Sequence, residues 1–250
     1  MEKNLTLTVI IPVYNEEGTV REIIEKVKAV DLPKEIIVVN DCSTDCTGEV
    51  LDLFASDNSV KIVHHETNVG KGAAIRSAKE HITGDLVIIQ DADLEYDPSE
   101  YHRMYKFFVE NNADAVYGSR YSGTEVMVDS FMHYYGNKFL TFLSNIFTNL
   151  HLTDMETCYK MMRADLFKQI PIECRCFGFE PEITAKLARR KARIFEVPIY
   201  YEPRVYDEGK KISWRDGFKA IWYIFKFNIL KKEKEQHRKQ THFSKKRIDN

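Results

Sequence analysis

The sequence lacks long apolar runs and linkers. No uninterrupted apolar stretch reaches the length of about 18 residues that a membrane-spanning helix needs. The most apolar region, residues 131–150, is broken by polar side chains. Neither a glycine- and serine-rich linker nor an internal repeat divides the chain. We therefore predict one domain over residues 1–230, followed by a basic, disordered tail over residues 231–250.

Cysteine is also scarce, with 5 residues, an odd number, among 250. Cys42 and Cys46 have no second pair at ligand spacing, which disfavours a zinc site. The chain opens on a short polar segment, Met1–Asn4, without the pattern of a signal peptide. We therefore expect reduced thiols and a cytoplasmic location, either free or at the cytoplasmic face of a membrane.

The net charge of −2 is small but unevenly distributed. Residues 231–250 contain eight Lys or Arg and three Asp or Glu, a local charge of +5, so the other residues sum to −7. A basic tail behind an acidic body favours an anionic partner such as a membrane surface. A nucleic acid is disfavoured because the tail has one aromatic residue, Phe243, on which a base would stack. A solvated tail without a partner is the alternative.

Apolar runs alternate with segments of helical spacing over the first ~120 residues. The runs are residues 7–12 (LTVIIP), 35–40 (EIIVVN), 61–65, 85–90 (DLVIIQ) and 114–119. This alternation predicts a doubly wound, Rossmann-like α/β sheet that is mostly parallel and has helices on both faces. The second half is less regular, with helices predicted over residues 131–150, 181–191 and 213–230 and a strand over residues 194–201.

Two carboxylates, Asp91 and Asp93, directly follow the buried run DLVIIQ. Ligands of such sheets bind at the carboxyl ends of the strands. Unpaired charges are costly to bury, and Mg²⁺ or Mn²⁺ would satisfy them together with substrate phosphates. Glu95 would supply a further oxygen. The alternative is an ordinary surface turn.

Two further loops follow predicted strands. Asp41 is interpreted either as a contact to the base or ribose of a nucleotide, or as a helix cap or turn residue. In the loop of residues 68–72 (NVGKG), Gly70 and Gly72 would let the backbone approach a ligand, and Lys71 would meet a phosphate. This loop lacks the spacing of a P-loop, so ATP hydrolysis is not indicated, and a plain turn is the alternative.

Together these segments resemble family 2 glycosyltransferases. The resemblance rests on residues 12–16 (PVYNE), 41–45 (DCSTD), 68–72 (NVGKG) and 91–93 (DAD), and it continues to about residue 225. It is closest to the branch that contains dolichyl-phosphate mannosyltransferase and its bacterial polyprenyl-phosphate relatives. Four later segments of the chain resemble further motifs of that branch. They are Gly118-Ser119-Arg120, Asp154-Met155-Glu156-Thr157, Phe179-Glu180, and Val197-Pro198 followed by Arg204.

The resemblance implies a GT-A fold and a set of site residues. The donor would be bound by Pro12, Tyr14, Glu16, Asp41, Lys71, Asp91, Ala92, Asp93 and Lys211. Asp91, Asp93 and Glu95 would hold a divalent metal, and Arg120 and Arg204 would bind phosphate groups, for which the guanidinium fork is suited. The chain departs from many relatives by Asn40 in place of Asp and by Cys42, Cys46 and Cys158 in place of Gly, which leaves the base preference open.

The implied activity is an inverting, metal-dependent transfer of a hexose from a UDP- or GDP-linked sugar to a polyprenyl or dolichyl phosphate. A lipid phosphate is already anionic at neutral pH and needs cationic groups rather than a base. A hydroxyl of a growing glycan is the alternative acceptor and requires a general base. Candidates for that base are Asp154, Glu156, Glu180 and Glu182, which are otherwise ordinary acids of turns and helix starts. A non-catalytic nucleotide-sugar-binding module is a third possibility, disfavoured by the retained acidic and arginine residues.

The helix predicted over residues 213–230 combines aromatic and basic side chains. Its aromatic residues include Trp214, Phe218, Trp222 and Phe225. This combination is typical of a helix that lies at a membrane interface, so we expect peripheral membrane contact. The alternative is that its aromatic face packs on the sheet as core, as amphipathic helices mostly do.

Overall fold

The computed structural model describes residues 5–123, 130–176, 178–203 and 214–230, with the side chains of residues 214–216 left out. Two predicted site residues, Arg204 and Lys211, lie outside the described residues. So do the predicted tail over residues 231–250 and the side chain of Trp214.

The described residues form a sheet of seven strands in the order β3-β2-β1-β4-β6-β5-β7. The strands are β1 (Leu7–Val13), β2 (Lys34–Asn40), β3 (Val60–His64), β4 (Leu86–Ile89), β5 (Ala115–Ser119), β6 (Lys160–Arg163) and β7 (Ile194–Pro198). Only β6 runs antiparallel to its neighbours, β4 and β5; the other pairs of strands in this sheet are parallel. The mostly parallel α/β sheet predicted from the sequence is therefore confirmed.

Helices follow most of the strands. They are α1 (Val20–Ala29), α2 (Thr47–Asp52), α3 (Lys71–Ala78), α4 (Tyr101–Glu110), α5 (Phe131–Thr148), α6 (Ala164–Gln169), α7 (Phe179–Arg189) and α8 (Trp214–Phe225), which continues as a π-helical turn over Lys226–Leu230. β1 and β4 are buried almost throughout because helices cover both faces of the sheet. Helix α1, for example, buries Val20, Ile23, Ile24 and Val27 on one stripe.

The loops after β1, β2 and β4 contain non-glycine residues in the left-handed region. These are Asn15 (φ 53°), Cys42 (φ 58°) and Leu94 (φ 64°). A side chain in this region is strained, and glycine is the residue that adopts it freely. A glycine at position 42 would adopt this conformation without that strain. Three of the six described non-glycine residues with positive φ thus lie at the carboxyl edge of the sheet, and the other three, Asn112, Asn149 and Lys191, follow helices.

Helix α5 has its large apolar side chains on the outside. Its buried residues are the small polar Thr141 and Ser144, which are 3% and 1% exposed, whereas Phe139 and Phe142 are 52% and 60% exposed. The other exposed apolar residues of the helix are Phe131, Met132, Tyr134, Tyr135 and Ile146. The amides of Asn137 and Asn145 point inward and bond to Asp154 and Leu152. The polarity of this helix is thus the reverse of an ordinary surface helix.

Helix α8 packs beside α5, with the rings of Phe147 and Phe225 5.0 Å apart. It buries Ala220 and Ile224 but exposes Phe218 and Trp222. Phe225, Ile229 and Leu230 are also exposed. We call the exposed apolar residues of α5 and of residues 218–230 the aromatic face. None of the described helices is long and apolar enough to cross a membrane.

Candidate active site

Three segments far apart in the sequence meet at Lys71, the first residue of α3. Its Nζ atom lies 2.8 Å from Oδ1 of Asp91 and 3.1 Å from Oδ2. The same atom lies 3.0 Å from Oε1 of Glu180, in the first turn of α7. Burial alone would lower the pKa of Lys71, but the Asp91 carboxylate, followed by Cys158 and Glu180, raises it well above its usual range. The lysine is therefore a permanent cation between two acidic side chains.

Asp91, Asp93 and Glu95 lie on one loop between β4 and α4. Oδ1 of Asp93 accepts a hydrogen bond of 3.2 Å from the backbone N–H of Glu95. Oε2 of Glu95 accepts one of 2.7 Å from the hydroxyl of Tyr201. Ala92 is buried between the two aspartates, so its side chain anchors the loop to the core. The loop thus presents Asp91 and Asp93 while Glu95 is held by the chain after β7.

These residues fit a divalent cation. Among the residues that the structure describes, no group of three or more His, Cys, Asp or Glu side chains is arranged as a metal site. Mg²⁺ and Mn²⁺ need no such group, because they take one or two carboxylates and complete their shell with water and substrate phosphates. The Asp91 carboxylate already faces a cation, the ammonium of Lys71, with both of its oxygens. Asp91 thus already binds a cation, and Asp93 is a second carboxylate of the kind that such an ion takes, two residues further along the same loop.

Asp41 is buried, and its carboxylate is bound by the protein itself. It accepts hydrogen bonds from the backbone N–H groups of Val69 and Gly70, at 3.0 and 2.6 Å. Nδ1 of His65 lies 2.7 Å from Oδ1, and because a carboxylate only accepts, the proton lies on Nδ1. Nε2 of the same ring lies 2.9 Å from the Ser77 hydroxyl on α3. Asp41 and His65 thus fix the loop that carries Lys71, and the sequence contained no signal for His65.

The glycines of this loop have a packing role. Gly70 has φ 95°, and a Cβ at Gly70 or Gly72 would collide with the carbonyl oxygen of Arg175 or Cys174, respectively. The N–H of Ala73 bonds to that same Arg175 oxygen at 3.2 Å. The glycines therefore let the backbone of residues 174–175 approach α3, which is a different use from the ligand approach expected from the sequence.

The loops after β1 and β2 hold each other in place. The side-chain oxygen of Asn15 accepts a hydrogen bond of 2.8 Å from the N–H of Thr44, and the N–H of Glu16 donates to the Thr47 hydroxyl at 2.9 Å. Pro12 lies in β1, and Tyr14 is exposed just beyond it. Pro12, Tyr14 and Glu16 therefore lie on the same edge of the sheet as Asp41 and Asp91.

Arg120 is paired with a carboxylate inside the protein. Its Nε and Nη2 atoms bond to both oxygens of Asp154 at 2.7 and 2.8 Å. Its guanidinium lies 5.1 Å from the ring centre of Tyr201. Although burial opposes ionisation, Arg120 outweighs burial and lowers the pKa of Asp154. A carboxylate engaged on both oxygens is a poor general base, and the pair uses two of the five N–H donors of the guanidinium.

Glu156 differs from the other candidate bases. Its Oε1 atom is buried without a hydrogen-bond partner, as is the hydroxyl of the adjacent Thr157. Burial, and then the nearby charge of Glu180, raise the pKa of Glu156 to about 7. Glu182, in contrast, accepts hydrogen bonds from the N–H groups of Glu173 and Cys174 and from the ammonium of Lys186. Only Glu156 of these four acids has both an unengaged buried oxygen and a pKa suited to proton transfer near neutrality.

The chain is similar to known proteins both in sequence and in fold. A family model described as "Glycosyl transferase family 2" matches residues 8–171. The low-salt glycan biosynthesis hexosyltransferase Agl6 of Haloferax volcanii is 30% identical over 225 residues, which cover 88% of this chain and 53% of the relative. The undecaprenyl-phosphate mannosyltransferase of Micrococcus luteus is 30% identical over 219 residues, covering 80% of this chain and 85% of the relative. The chain thus spans about half the length of the first relative and most of the second.

Two solved structures share the fold. The glucosyl-3-phosphoglycerate synthase of Mycobacterium tuberculosis, in complex with Mn²⁺, UDP and glucosyl-3-phosphoglycerate, superposes with a TM-score of 0.67 at 19% identity, covering 90% of this chain and 80% of the synthase. TarS (residues 1–349) of S. aureus, in complex with UDP, superposes with a TM-score of 0.61 at 23% identity, covering 88% of this chain and 64% of TarS. At such identities the likeness establishes the fold alone.

Proposed function

Because the chain belongs to glycosyl transferase family 2, we propose that this glycosyltransferase moves a hexose from a UDP- or GDP-linked donor to a polyprenyl or dolichyl phosphate. An acceptor oxygen forms a bond to the anomeric carbon as the bond from that carbon to the diphosphate breaks, with inversion, and the electron pair leaves with the nucleoside diphosphate. The observation that carries the proposal is the meeting of Asp91, Lys71 and Glu180 at the carboxyl edge of the sheet, where such folds bind ligands.

The donor lies along this edge in the proposal. Pro12, Tyr14 and Glu16 contact the nucleoside, and Asp41 shapes the pocket by holding the loop before Lys71. Lys71 offers its ammonium to the diphosphate. Support for a bound nucleotide comes from the structures that share the fold, both of which contain UDP. Binding experiments with UDP- and GDP-linked sugars identify the nucleotide and the sugar of the donor.

A divalent metal is part of the proposal. Asp91 and Asp93 hold it, with Glu95 as a further oxygen donor on the same loop. When bound, Mg²⁺ or Mn²⁺ neutralises the charge that develops on the departing diphosphate. The M. tuberculosis synthase that shares the fold was crystallised with Mn²⁺, which supports a metal at this edge. Lys71 bonds to both oxygens of the Asp91 carboxylate and so orients it.

The proposed acceptor is a lipid phosphate at a membrane surface, on its cytoplasmic face. A relative of this chain is an undecaprenyl-phosphate mannosyltransferase. The aromatic face is the physical support, because α5 directs its polar side chains into the protein and its large apolar ones outward. Apolar side chains insert at the boundary of headgroups and acyl chains, and basic residues such as Lys219 beside them attract anionic lipids.

The lipid phosphate needs cationic groups rather than a base. Asp154 occupies one edge of the Arg120 guanidinium, which leaves further N–H donors of the five for a phosphate. In this proposal Arg120 and Arg204 bind phosphate groups and Lys211 joins them. Arg204 and Lys211 lie outside the described part of the chain.

A second candidate function, transfer to a hydroxyl of a glycan, is favoured by one observation. The unpartnered buried oxygen of Glu156, with its pKa of about 7, has the properties of a general base. In that reaction Glu156 takes the proton of the hydroxyl as its oxygen attacks the anomeric carbon. Asp154 and Glu182 are excluded from the role by their own hydrogen bonds.

The two acceptors are distinguished by a transfer assay. Purified protein is incubated with radiolabelled UDP-glucose or GDP-mannose, Mn²⁺ and undecaprenyl phosphate, and the products are extracted into organic solvent. We expect label in the organic phase with one of the two donors, and Glu156→Gln retains that transfer. A parallel incubation contains an oligosaccharide as acceptor. If label reaches only the oligosaccharide, and only when Glu156 is intact, the acceptor is a hydroxyl instead.

A further inference from the structure

Gln90 is a fully buried polar residue directly before the loop of Asp91 and Asp93. Its backbone N–H extends the ladder between β1 and β4 by bonding to the carbonyl of Ile10 at 2.9 Å. Its Nε2 atom bonds to the backbone carbonyls of Asp91 and Tyr96, at 3.0 and 3.3 Å. One side chain thus connects the first residue of the loop with its last.

The other end of the amide is held by two tyrosines. Oε1 of Gln90 accepts hydrogen bonds from the hydroxyls of Tyr101, at 2.5 Å, and Tyr159, at 2.6 Å. The two carbonyls on the opposite side only accept, so the NH₂ group must face the loop and the orientation of the amide is fixed. All four hydrogen-bonding positions of the side chain are therefore used, two on the loop and two on the core.

The loop that Gln90 closes is under strain and is held from outside as well. Leu94, in its middle, has φ 64°. Tyr96 forms an antiparallel bridge with Tyr201, and the N–H of Glu202 bonds to the carbonyl of Glu95 at 3.0 Å. A strained loop keeps its shape only when the surrounding contacts determine it. The contacts at the two ends of this loop converge on the amide of Gln90.

We propose that Gln90 is a positioning residue that sets the shape of the Asp91–Tyr96 loop and thereby its affinity for a divalent cation. The inference rests on the proposed function, which assigns a metal to Asp91 and Asp93. Gln90 itself reaches no ligand, because it is enclosed by the tyrosines and the loop backbone. Partners of this kind, one layer behind the ligands, determine how the ligands are presented.

The test compares two variants that loosen the same core. Gln90→Met keeps the length and neutrality of the side chain and removes all four hydrogen bonds. Tyr101→Phe is the matched control, because it removes one hydrogen bond on the core side and leaves both bonds to the loop. The binding of Mn²⁺, alone and with UDP or GDP, is followed by the electron paramagnetic resonance signal of the free ion, and thermal unfolding is measured in parallel.

We expect both variants to unfold at a lower temperature than the wild type. Gln90→Met binds Mn²⁺ about tenfold to a hundredfold more weakly, whereas Tyr101→Phe retains the wild-type affinity. If Gln90→Met does not fold, Gln90→Asn takes its place, since a neutral amide shortened by one methylene cannot span the loop and both tyrosines.

The remaining outcomes distinguish a failure of the proposed metal site from a failure of the role of Gln90. Wild-type protein that binds Mn²⁺ in none of these mixtures contradicts the proposed metal site, and the role of Gln90 falls with it. Wild-type and Gln90 variants of equal affinity overturn the role of Gln90 alone. Equal weakening in Tyr101→Phe and Gln90→Met shows a general loosening of the core and likewise overturns the positioning role.

Discussion

At the scale of single residues, Glu156 links the candidate site to stability. Its pKa is raised from 4.5 to about 7 by burial and by Glu180. Between these two values the folded protein keeps the proton and the unfolded chain releases it. The contribution of Glu156 to the free energy of unfolding is therefore fully present below pH 4.5 and is lost as the pH rises through 7.

Replacing Glu156 removes this dependence. In Glu156→Gln we expect the free energy of unfolding to fall less between pH 5 and pH 8 than in the wild type, because the titrating group is gone. Urea denaturation at several pH values across that range measures it. The exposed Glu80→Gln serves as the control for the loss of one charge. If the free energy of unfolding of Glu156→Gln falls with pH as steeply as that of the wild type, the raised pKa of Glu156 is contradicted.

The pair of Arg120 and Asp154 gives a second prediction for single residues. Arg120→Gln leaves a fully buried carboxylate without its cation, and we expect the free energy of unfolding to fall by about 3 kcal/mol or more. The double variant Arg120→Gln/Asp154→Asn recovers a large part of that loss, because no charge is left buried. Chemical denaturation of the wild type, the single variant and the double variant measures these differences in the free energy of unfolding. A loss below about 1 kcal/mol, the value of a surface pair, contradicts the structural role.

At the scale of helices and strands, the sequence predicted those elements that a local pattern of apolar residues determines. Runs such as LTVIIP and DLVIIQ contain enough β-branched and apolar residues to identify β1, β2 and β4. Strand β6 was missed because its four residues, KMMR, show no period and its place between β4 and β5 follows from distant contacts. The predicted class of sheet is confirmed all the same, since one antiparallel strand leaves the parallel core intact.

The contacts that shape the candidate site were less predictable. Asp91, Lys71 and Glu180 were each identified from the sequence, but their meeting depends on segments 20 and 109 residues apart. Gln90 and His65 gave no signal, because a buried amide and a buried histidine look like any polar residue at the end of a strand. For α5, an aromatic stripe usually predicts core, and only the structure shows which side faces outward.

The reversed polarity of α5 gives a prediction for membrane binding. We expect Phe139→Glu/Phe142→Glu to reduce flotation with liposomes that contain phosphatidylglycerol, since it places two charges in the aromatic face. Its thermal stability stays close to the wild type because both side chains are exposed. Leu53→Glu, at an exposed apolar residue after α2, is the matched control and floats as the wild type does. Equal flotation of all three proteins contradicts membrane docking through this face.

At the scale of the whole molecule, the sheet brings three kinds of chemistry to neighbouring surfaces. The carboxyl edge carries the acidic and basic groups that we propose bind a nucleotide sugar, Glu156 and Glu180 lie next to it, and α5 and α8 provide an apolar surface. We propose that residues 1–230 act as one unit in which donor and acceptor meet at this edge. The basic residues 231–250 would then add attraction to an anionic membrane.

The central claim is that Asp91 and Asp93 bind a nucleotide sugar through a divalent metal. Calorimetric titration of the protein with UDP-glucose and GDP-mannose, each with Mn²⁺ and with EDTA, tests it directly, and Asp91→Asn is the matched variant. We predict binding of one donor with Mn²⁺, and loss of that binding with EDTA or in Asp91→Asn. Binding that is the same with Mn²⁺, with EDTA and in Asp91→Asn, or no binding of any sugar nucleotide by the folded protein, contradicts the account.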